Sequence, residues 1–305
     1  MPVVPYQPPD GSAAAPDRRP GDDLRRLLAQ GRAVVADFPA AALDGASASA
    51  TGEVLRGTVH AVLAGDSPRN RVQLPPAYRA ALIRSAGLRA WTGLNCRDRN
   101  RVALEGELAA LVDLGVDAVH CVTGDHPALG SRWDAAAVFD LDSTQLTGLA
   151  ARSGLLTSVG ESPSAPPTDR RAGRLVEKLR AGAEVCFVNH CGGVDPIRTF
   201  VDQVHQLGGR PWFVPCVPVV LDVSSAQLLA SFPGFVLPPG YLEPILEARD
   251  PRARGIRATV DLCEQLLALD GVAGVNLSGG GAPGRELAFA EGLAEIGQQL
   301  GTQDS

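Results

Sequence analysis

Carboxylates, amides and one imidazole recur in this 305-residue sequence at one kind of place, directly after a short apolar run. Asp37 follows Ala33-Val34-Val35-Ala36, and Asp66 follows the run at 58–64. Asn95 and Cys96 close a third run, and Thr123, Gly124 and Asp125 close a fourth. Glu161, the pair Asn189 and His190, the pair Pro215 and Cys216, and finally Asn276 and Ser278 stand in the same relation to later runs. A carboxyl group can hold or deliver a proton, an amide can donate and accept toward a heterocycle, and an imidazole can do either. Each residue alone reads as an ordinary helix cap or turn residue. Together they make one site if the apolar runs are parallel strands whose C-terminal ends converge.

The pattern between these residues supplies such strands. Apolar runs at 33–37, 58–64, 89–95, 117–122, 155–159, 184–189, 211–215 and 272–277 have the continuous hydrophobicity of strands covered on both faces. Amphipathic stretches separate them, clearest at 100–114 and 171–182, with others at 194–207, 222–231, 251–269 and 284–299. Several end in glycine, as at Leu114-Gly115-Val116 and Leu207-Gly208-Gly209. Eight strands alternating with helices predict an α/β protein with a closed (β/α)8 TIM barrel, whose reactive residues sit at the C-terminal strand ends. An open doubly wound sheet is the rival, and no GxGxxG follows the first run to favour it. The expected organisation is a flexible Pro-rich arm over 1–20, one barrel domain over 21–300 and a tail over 301–305. The first connection, 38–57, is rich in Ala and Ser, and a poorly formed helix is expected there.

Composition removes several function classes. Net charge is −6 and the pI near 5.4, and the basic residues are scattered, so nucleic acid is not an expected partner. Six cysteines form no CxxC, and no His/Cys spacing suits zinc; no metal is expected. A metal-dependent barrel hydrolase would need His-x-His on the first strand, where Val34-Val35-Ala36 offers no ligand. Histidines 60, 120 and 205 read as packing or surface residues. Neither a secretory signal nor a membrane span is apparent, and a reducing cytoplasm is the expected compartment.

The middle of the chain carries the most specific signal. CRDRN (96–100) opens a long helix, VHCVTGD (119–125) runs a strand into a Gly-Asp turn, and VFDLDSTQL (138–146) starts the next helix. Lys178-Leu179-Arg180-Ala181-Gly182-Ala183 precedes the sixth strand, and PCVPVV (215–220) follows the seventh. Over 30–297 this order resembles the methylenetetrahydrofolate reductase family. The resemblance implies reduction of 5,10-methylenetetrahydrofolate to 5-methyltetrahydrofolate, with folate and a nicotinamide cofactor as partners. It makes Asp125 the carboxylate on the pterin side and sets Asn189 where the family has a folate-contacting glutamine. Asn95, Cys96 and Arg285 are further candidates for the substrate, and Thr123, Gly124 and Lys178 for the cofactor.

Departures from the family pattern shape the mechanism expected. The family's first strand reads Phe-Glu-Phe-Phe-Pro-Pro, and its glutamate is the acid. Aligned on Phe38-Pro39, that position holds Ala36, with Asp37 beside it on the opposite strand face unless the strand slips. Asp37 is therefore one candidate acid, and Glu161 the other. Gly93, Thr123, Val159 and Glu177 replace residues with which the family holds its flavin. Lost cations would remove charge-assisted bonds worth about 1.5–3 kcal/mol each. The expectation is direct hydride transfer from NADH, or NADPH, without flavin. The alternatives are a conventional flavin enzyme and a folate-binding or partner-binding barrel without turnover.

Overall fold

The computed structural model describes residues 20–65, 72–232 and 234–302. The expected arm up to residue 19, Asp66, and residues 303–305 of the expected tail lie outside the described residues. Eight strands alternate with helices: β1 (Ala33–Asp37), β2 (Ala61–Ala64), β3 (Ala90–Asn95), β4 (Ala118–Val122), β5 (Leu156–Glu161), β6 (Val185–Val188), β7 (Trp212–Pro218) and β8 (Gly274–Ser278). Each pairs in parallel with the next, and β8 returns to β1, so the barrel is closed. This is the (β/α)8 fold the alternation predicts.

Side-chain parity along the strands divides the core in two. Val35, Ala61, Trp91, Ala118, Leu156, Val185, Phe187 and Val214 fill the lumen. Val34, Ala36, Val62, Leu94, Val119, Val159, Val188 and Leu277 face the helical layer. In the lumen Trp91 and Phe187 meet edge to face, 5.0 Å between ring centroids. Trp91 Nε1 donates to Ser158 Oγ at 2.8 Å, so the indole is buried without leaving its N–H unpaired.

The layer outside consists of α2 (Gly45–Leu55), α3 (Pro76–Ser85), α4 (Arg101–Asp113), α5 (Ser143–Arg152), α6 (Arg171–Arg180), α7 (Val194–Gln206), α8 (Val223–Ala230), the single turn α9 (Glu243–Leu246), α10 (Pro251–Leu267) and α11 (Glu286–Gln299). The expected weak first connection is a full helix instead. Asp44 caps α2 by accepting from the Ala46 N–H at 2.9 Å, and Ala46, Ala48 and Ala50 supply helix propensity among its serines and glycines. Its Ala48, Thr51, Gly52 and Leu55 are buried.

The N-terminal end of the barrel is closed by α1 (Asp22–Ala29), whose Leu24 and Leu28 belong to the lumen cluster. Arg25 fixes it there through two bonds to Glu184, at 2.7 and 2.9 Å. The chain also stays packed past residue 300. Thr302 is buried and donates to the Thr58 carbonyl at 2.8 Å, so the barrel's packing runs into the expected tail.

Two strand boundaries differ from the sequence expectation in ways that matter for the site. β5 continues to Glu161 and β7 to Pro218, beyond the expected ends at 159 and 215. β2 begins three residues later than expected. His60 accounts for that: its Nδ1 accepts the Val34 N–H at 2.9 Å, taking a ladder position that a backbone carbonyl would otherwise fill.

Candidate active site

With α1 over the other end, the C-terminal mouth holds a cavity of about 960 Å³. Asp37 lines it. Residues 33 and 35 point into the lumen, and Asp37 continues that face, while Ala36 points out to the helices. No slip of the strand is needed to bring the carboxylate to the mouth, which corrects the expectation drawn from alignment on Phe38-Pro39. Strand β8 supplies its cradle: Asn276 Nδ2 donates to Oδ1 at 2.9 Å, and Ser278 Oγ and the Gly279 N–H donate to Oδ2 at 2.8 and 3.0 Å. Burial pushes the Asp37 carboxyl above its ordinary range, and these three neutral donors only partly offset that.

The β3 and β4 rim carries the next group. Gly124 has φ +88, and a Cβ there would lie 3.0 Å from Arg97 Cβ and 3.3 Å from Asn95 Cβ, so the turn presenting Asp125 requires glycine. Asp125 is exposed on the cavity wall. Thr123 also lines the cavity, but its hydroxyl accepts the Ser143 N–H at 3.0 Å at the start of α5. Asn95 is buried below, its Oδ1 accepting the Asp98 N–H at 3.0 Å. Arg97, not singled out from the sequence, is fully buried against the cavity and forks onto Asp98 at 2.7 and 2.6 Å.

His120 sits on the cavity floor rather than only in packing. Its Nδ1 lies 2.9 Å from Ser158 Oγ, and its ring meets Phe187 edge to face. Ser158 gives its own proton to the Val119 carbonyl, so Nδ1 carries the hydrogen toward Ser158. Burial, with the charge of Lys178 adding to it, lowers the His120 pKa to about 4. The imidazole is therefore neutral. His60 and His205 do pack as expected, His205 against Phe213.

On the β6 side Asn189 is exposed to the cavity, donating through Nδ2 to Ser162 Oγ at 2.8 Å. His190 beside it is buried against Phe232 and Phe235, which no period or motif in the sequence marks. Cys216 closes this part of the wall, accepting from Asn276 Nδ2 at 3.7 Å.

Several sequence candidates lie elsewhere. Glu161, at 2% exposure, follows Thr157 and Val159 on the outward face of β5 because the strand does not end where expected. Its partner is Lys178, whose Nζ donates to Glu161 Oε1 and to the Gly160 carbonyl, both at 2.7 Å. Both belong to the helical layer and neither reaches the mouth. Cys96 is likewise buried on the outer side, where burial and the charges of Asp142 and Asp140 push its thiol up to about 12. Arg285 is an exposed residue at the start of α11. Of the four altered flavin positions, Gly93 and Thr123 face the cavity, whereas Val159 is in the outer core and Glu177 is exposed on α6. Among the described residues no cluster of His, Cys, Asp or Glu could hold a metal ion, and no helix is long and apolar enough to cross a membrane.

Comparison with known proteins decides the family. The family model described as methylenetetrahydrofolate reductase matches residues 71–278, more than half of the chain. The chain belongs to the methylenetetrahydrofolate reductase family. No curated protein matches it. Solved structures with a similar fold include a 2,3-dimethylmalate lyase of the PEP mutase/isocitrate lyase superfamily, at 13% identity and TM-score 0.51, covering 89% of this chain and 80% of that one. Tryptophan synthase from M. tuberculosis is similar at 12% identity and TM-score 0.51, with 90% and 97% covered. A lyase/mutase from Burkholderia cenocepacia gives 14% identity and TM-score 0.51, with 92% and 84% covered. At such identities these likenesses concern the barrel alone. Family membership makes the chain a folate-reductase-like enzyme with folate as its substrate class.

Proposed function

We propose that this chain reduces 5,10-methylenetetrahydrofolate to 5-methyltetrahydrofolate with NADH, or NADPH, as direct hydride donor. The observation that carries the reading is Asp37: a carboxyl group on the lumen face of β1, raised by burial and held by three neutral donors, at the mouth of a cavity of about 960 Å³. It is one methylene shorter than the family's glutamate and stands at the end of the same strand. A carboxyl group at this position favours turnover over the folate-binding or partner-binding alternative, which is consistent with the missing glutamate.

The chemistry follows from the groups around the cavity. Asp37 donates its proton to the bridging folate nitrogen, and the ring carbon–nitrogen bond breaks toward that nitrogen. The methylene is left as an iminium on the other nitrogen. A hydride, with its electron pair, passes from the dihydronicotinamide ring to this carbon; the iminium becomes a methylamine and the nicotinamide a pyridinium. Asp125 faces the pterin and stabilises positive charge on it as the iminium forms. Asn189 holds the pterin edge through its amide.

Flavin does not fit these residues. The family's histidine position is Gly93, where a Cβ would lie 2.8 Å from the Gly65 Cα and 3.2 Å from the Ala64 carbonyl, so the backbone admits no side chain. The arginine position is Thr123, uncharged and already bonded to the start of α5. Lys178 is turned away to Glu161. Direct transfer requires both substrates together, with donor and acceptor carbons about 3–3.5 Å apart. Initial-rate plots at several fixed NADH concentrations are therefore expected to intersect, and the purified protein to be colourless. Parallel lines with stoichiometric flavin would restore the flavin mechanism.

A further inference from the structure

We propose that His190, Phe232 and Phe235 form the seat of the reduced nicotinamide ring, an imidazole nitrogen of His190 bonding its carboxamide. This rests on the reductase reading and specifies where its hydride donor lies. His190 is 7% exposed, lines the cavity, and neither of its ring nitrogens has a well-formed hydrogen bond within the protein. Burial holds its pKa down to about 4 against a smaller opposing pull from the Cys216 carbonyl. At neutral pH the ring thus carries one N–H, drawn toward the Cys216 carbonyl, and one lone pair that no donor of the protein meets. Buried polar groups are nearly always paired, and such a histidine on a cavity wall is matched by a ligand that offers a partner.

Its surroundings identify the ligand chemistry. The Phe235 ring stands edge-on to the imidazole at 5.0 Å between centroids, and Phe232 lies at 6.4 Å, with Leu228 beside them on the cavity wall. Phe232, Phe235 and Leu228 thus give the imidazole apolar neighbours on the cavity wall. A tetrahydropterin carries several N–H and carbonyl groups along its edge and needs as many polar partners, which the mouth gathers at Asp37, Asp125 and Asn189. A dihydronicotinamide ring has flat apolar faces and a single carboxamide, and that matches this wall. The charge changes agree. As hydride leaves, the ring becomes a pyridinium; phenyl groups favour a cation beside them, and a neutral imidazole adds no repulsion. This wall is also held in place, since the Val236 N–H donates to the His190 carbonyl at 3.3 Å and the Gly192 N–H to the Val236 carbonyl at 3.0 Å.

The test is equilibrium binding to the full chain, followed by the quenching or enhancement of NADH fluorescence without folate. His190→Phe keeps the bulk and removes both nitrogens, and its dissociation constant for NADH is expected to rise about tenfold, the effect of one lost hydrogen bond in a closed site. The Michaelis constant for the folate should stay within about twofold, because uniform binding of the other substrate is untouched. The 3-acetylpyridine analogue of NADH, which lacks the amide N–H2, provides a second measurement on the wild type. Wild type is expected to bind it more weakly than NADH, and His190→Phe to bind the two alike. Unchanged discrimination in the variant, loss of folate affinity instead, or no NADH binding by the wild type would each overturn the proposal. Wild-type turnover is read separately. Turnover with unchanged discrimination sinks the nicotinamide seat and leaves the reductase reading. His190-dependent NADH binding without any turnover does the reverse.

Discussion

Asp37 and Glu161 are both the last residue of a barrel strand, β1 and β5, and each is held by three neighbours. Asp37 faces the lumen and receives hydrogen bonds from an amide, a hydroxyl and a backbone N–H, with no cation among them. Glu161 faces the helices and meets Lys178 at 2.7 Å, Arg171 at 3.5 Å and Arg174 at 3.9 Å. Burial beside neutral donors raises a carboxyl's proton affinity and suits it to pass that proton on. Burial among cations makes it one end of an ion pair, which ties a strand to a helix. One position along a strand, in or out, separates the carboxyl proposed as the acid from one that serves an ion pair.

The largest effect that would test this contrast is on stability. Glu161→Gln leaves the Lys178 ammonium buried with only neutral partners, and the expected loss is about 3 kcal/mol of unfolding free energy. Chemical denaturation would measure it. The activity per folded molecule should stay near that of the wild type. A stable variant with turnover lost would mean that Glu161 reaches the site and that the two carboxylates are wrongly sorted.

Next comes catalysis. Asp37→Asn keeps the shape of the side chain but has no proton to give, and turnover is expected to fall about 100-fold, the low end for a general acid. The pH dependence carries a definite sign. Because the folded-state pKa of Asp37 is raised, the folded protein binds this proton more tightly than the unfolded chain does. Stability from that proton is complete below the ordinary carboxylate range and is lost as pH rises through the raised value. Turnover that needs the protonated form should decline over the same window, and Asp37→Asn should lack that decline. A variant that keeps the wild-type limb would assign the acid to another group.

How much of this could be read beforehand follows from what periodicity reports. Alternation of apolar runs and helices was enough for eight strands, the closed barrel and the location of the mouth, because continuous burial leaves a signal in every residue of a run. Facing is a different matter. It depends on where a strand ends, to the single residue, and short motifs are silent there. β5 runs two residues past its apparent end, and that moves Glu161 from an expected loop to the outward face. For β1 the boundary was right, yet alignment on Phe38-Pro39 assigned the family's acid to Ala36. Ala33 and Val35 lie in the lumen cluster, and Asp37 continues their face of the strand to the mouth. Asp125 and Gly124 were legible because a Gly-Asp turn is a local feature with a local cause, the positive φ of Gly124. Phe232, Phe235 and His190 were not seen as a group, since their contact exists only once the segment after α8 folds back on the end of β6.

The smallest expected effect sharpens the contrast most. If Glu161 and Lys178 serve only as a strand-to-helix tie, the pair can be replaced together by apolar residues of similar volume. Glu161→Leu with Lys178→Met removes both charges and leaves no ammonium stranded. Desolvation of two ions roughly cancels their attraction in a buried pair, so stability is expected within about 1 kcal/mol of wild type, well above that of Glu161→Gln alone. The Gly160 carbonyl loses the Lys178 donor in this variant, which sets the residual cost. Arg171 keeps its bonds to the Ala165 and Pro166 carbonyls, so the loop on that side of the mouth stays anchored without Glu161. Turnover should match wild type across the pH range, including the limb assigned to Asp37. No paired exchange at Asp37 and Asn276 is expected to behave that way, because it would remove the proton assigned to the reaction under the proposed mechanism. A double variant that folds normally but loses turnover would show that the outward carboxylate acts on the site through β5.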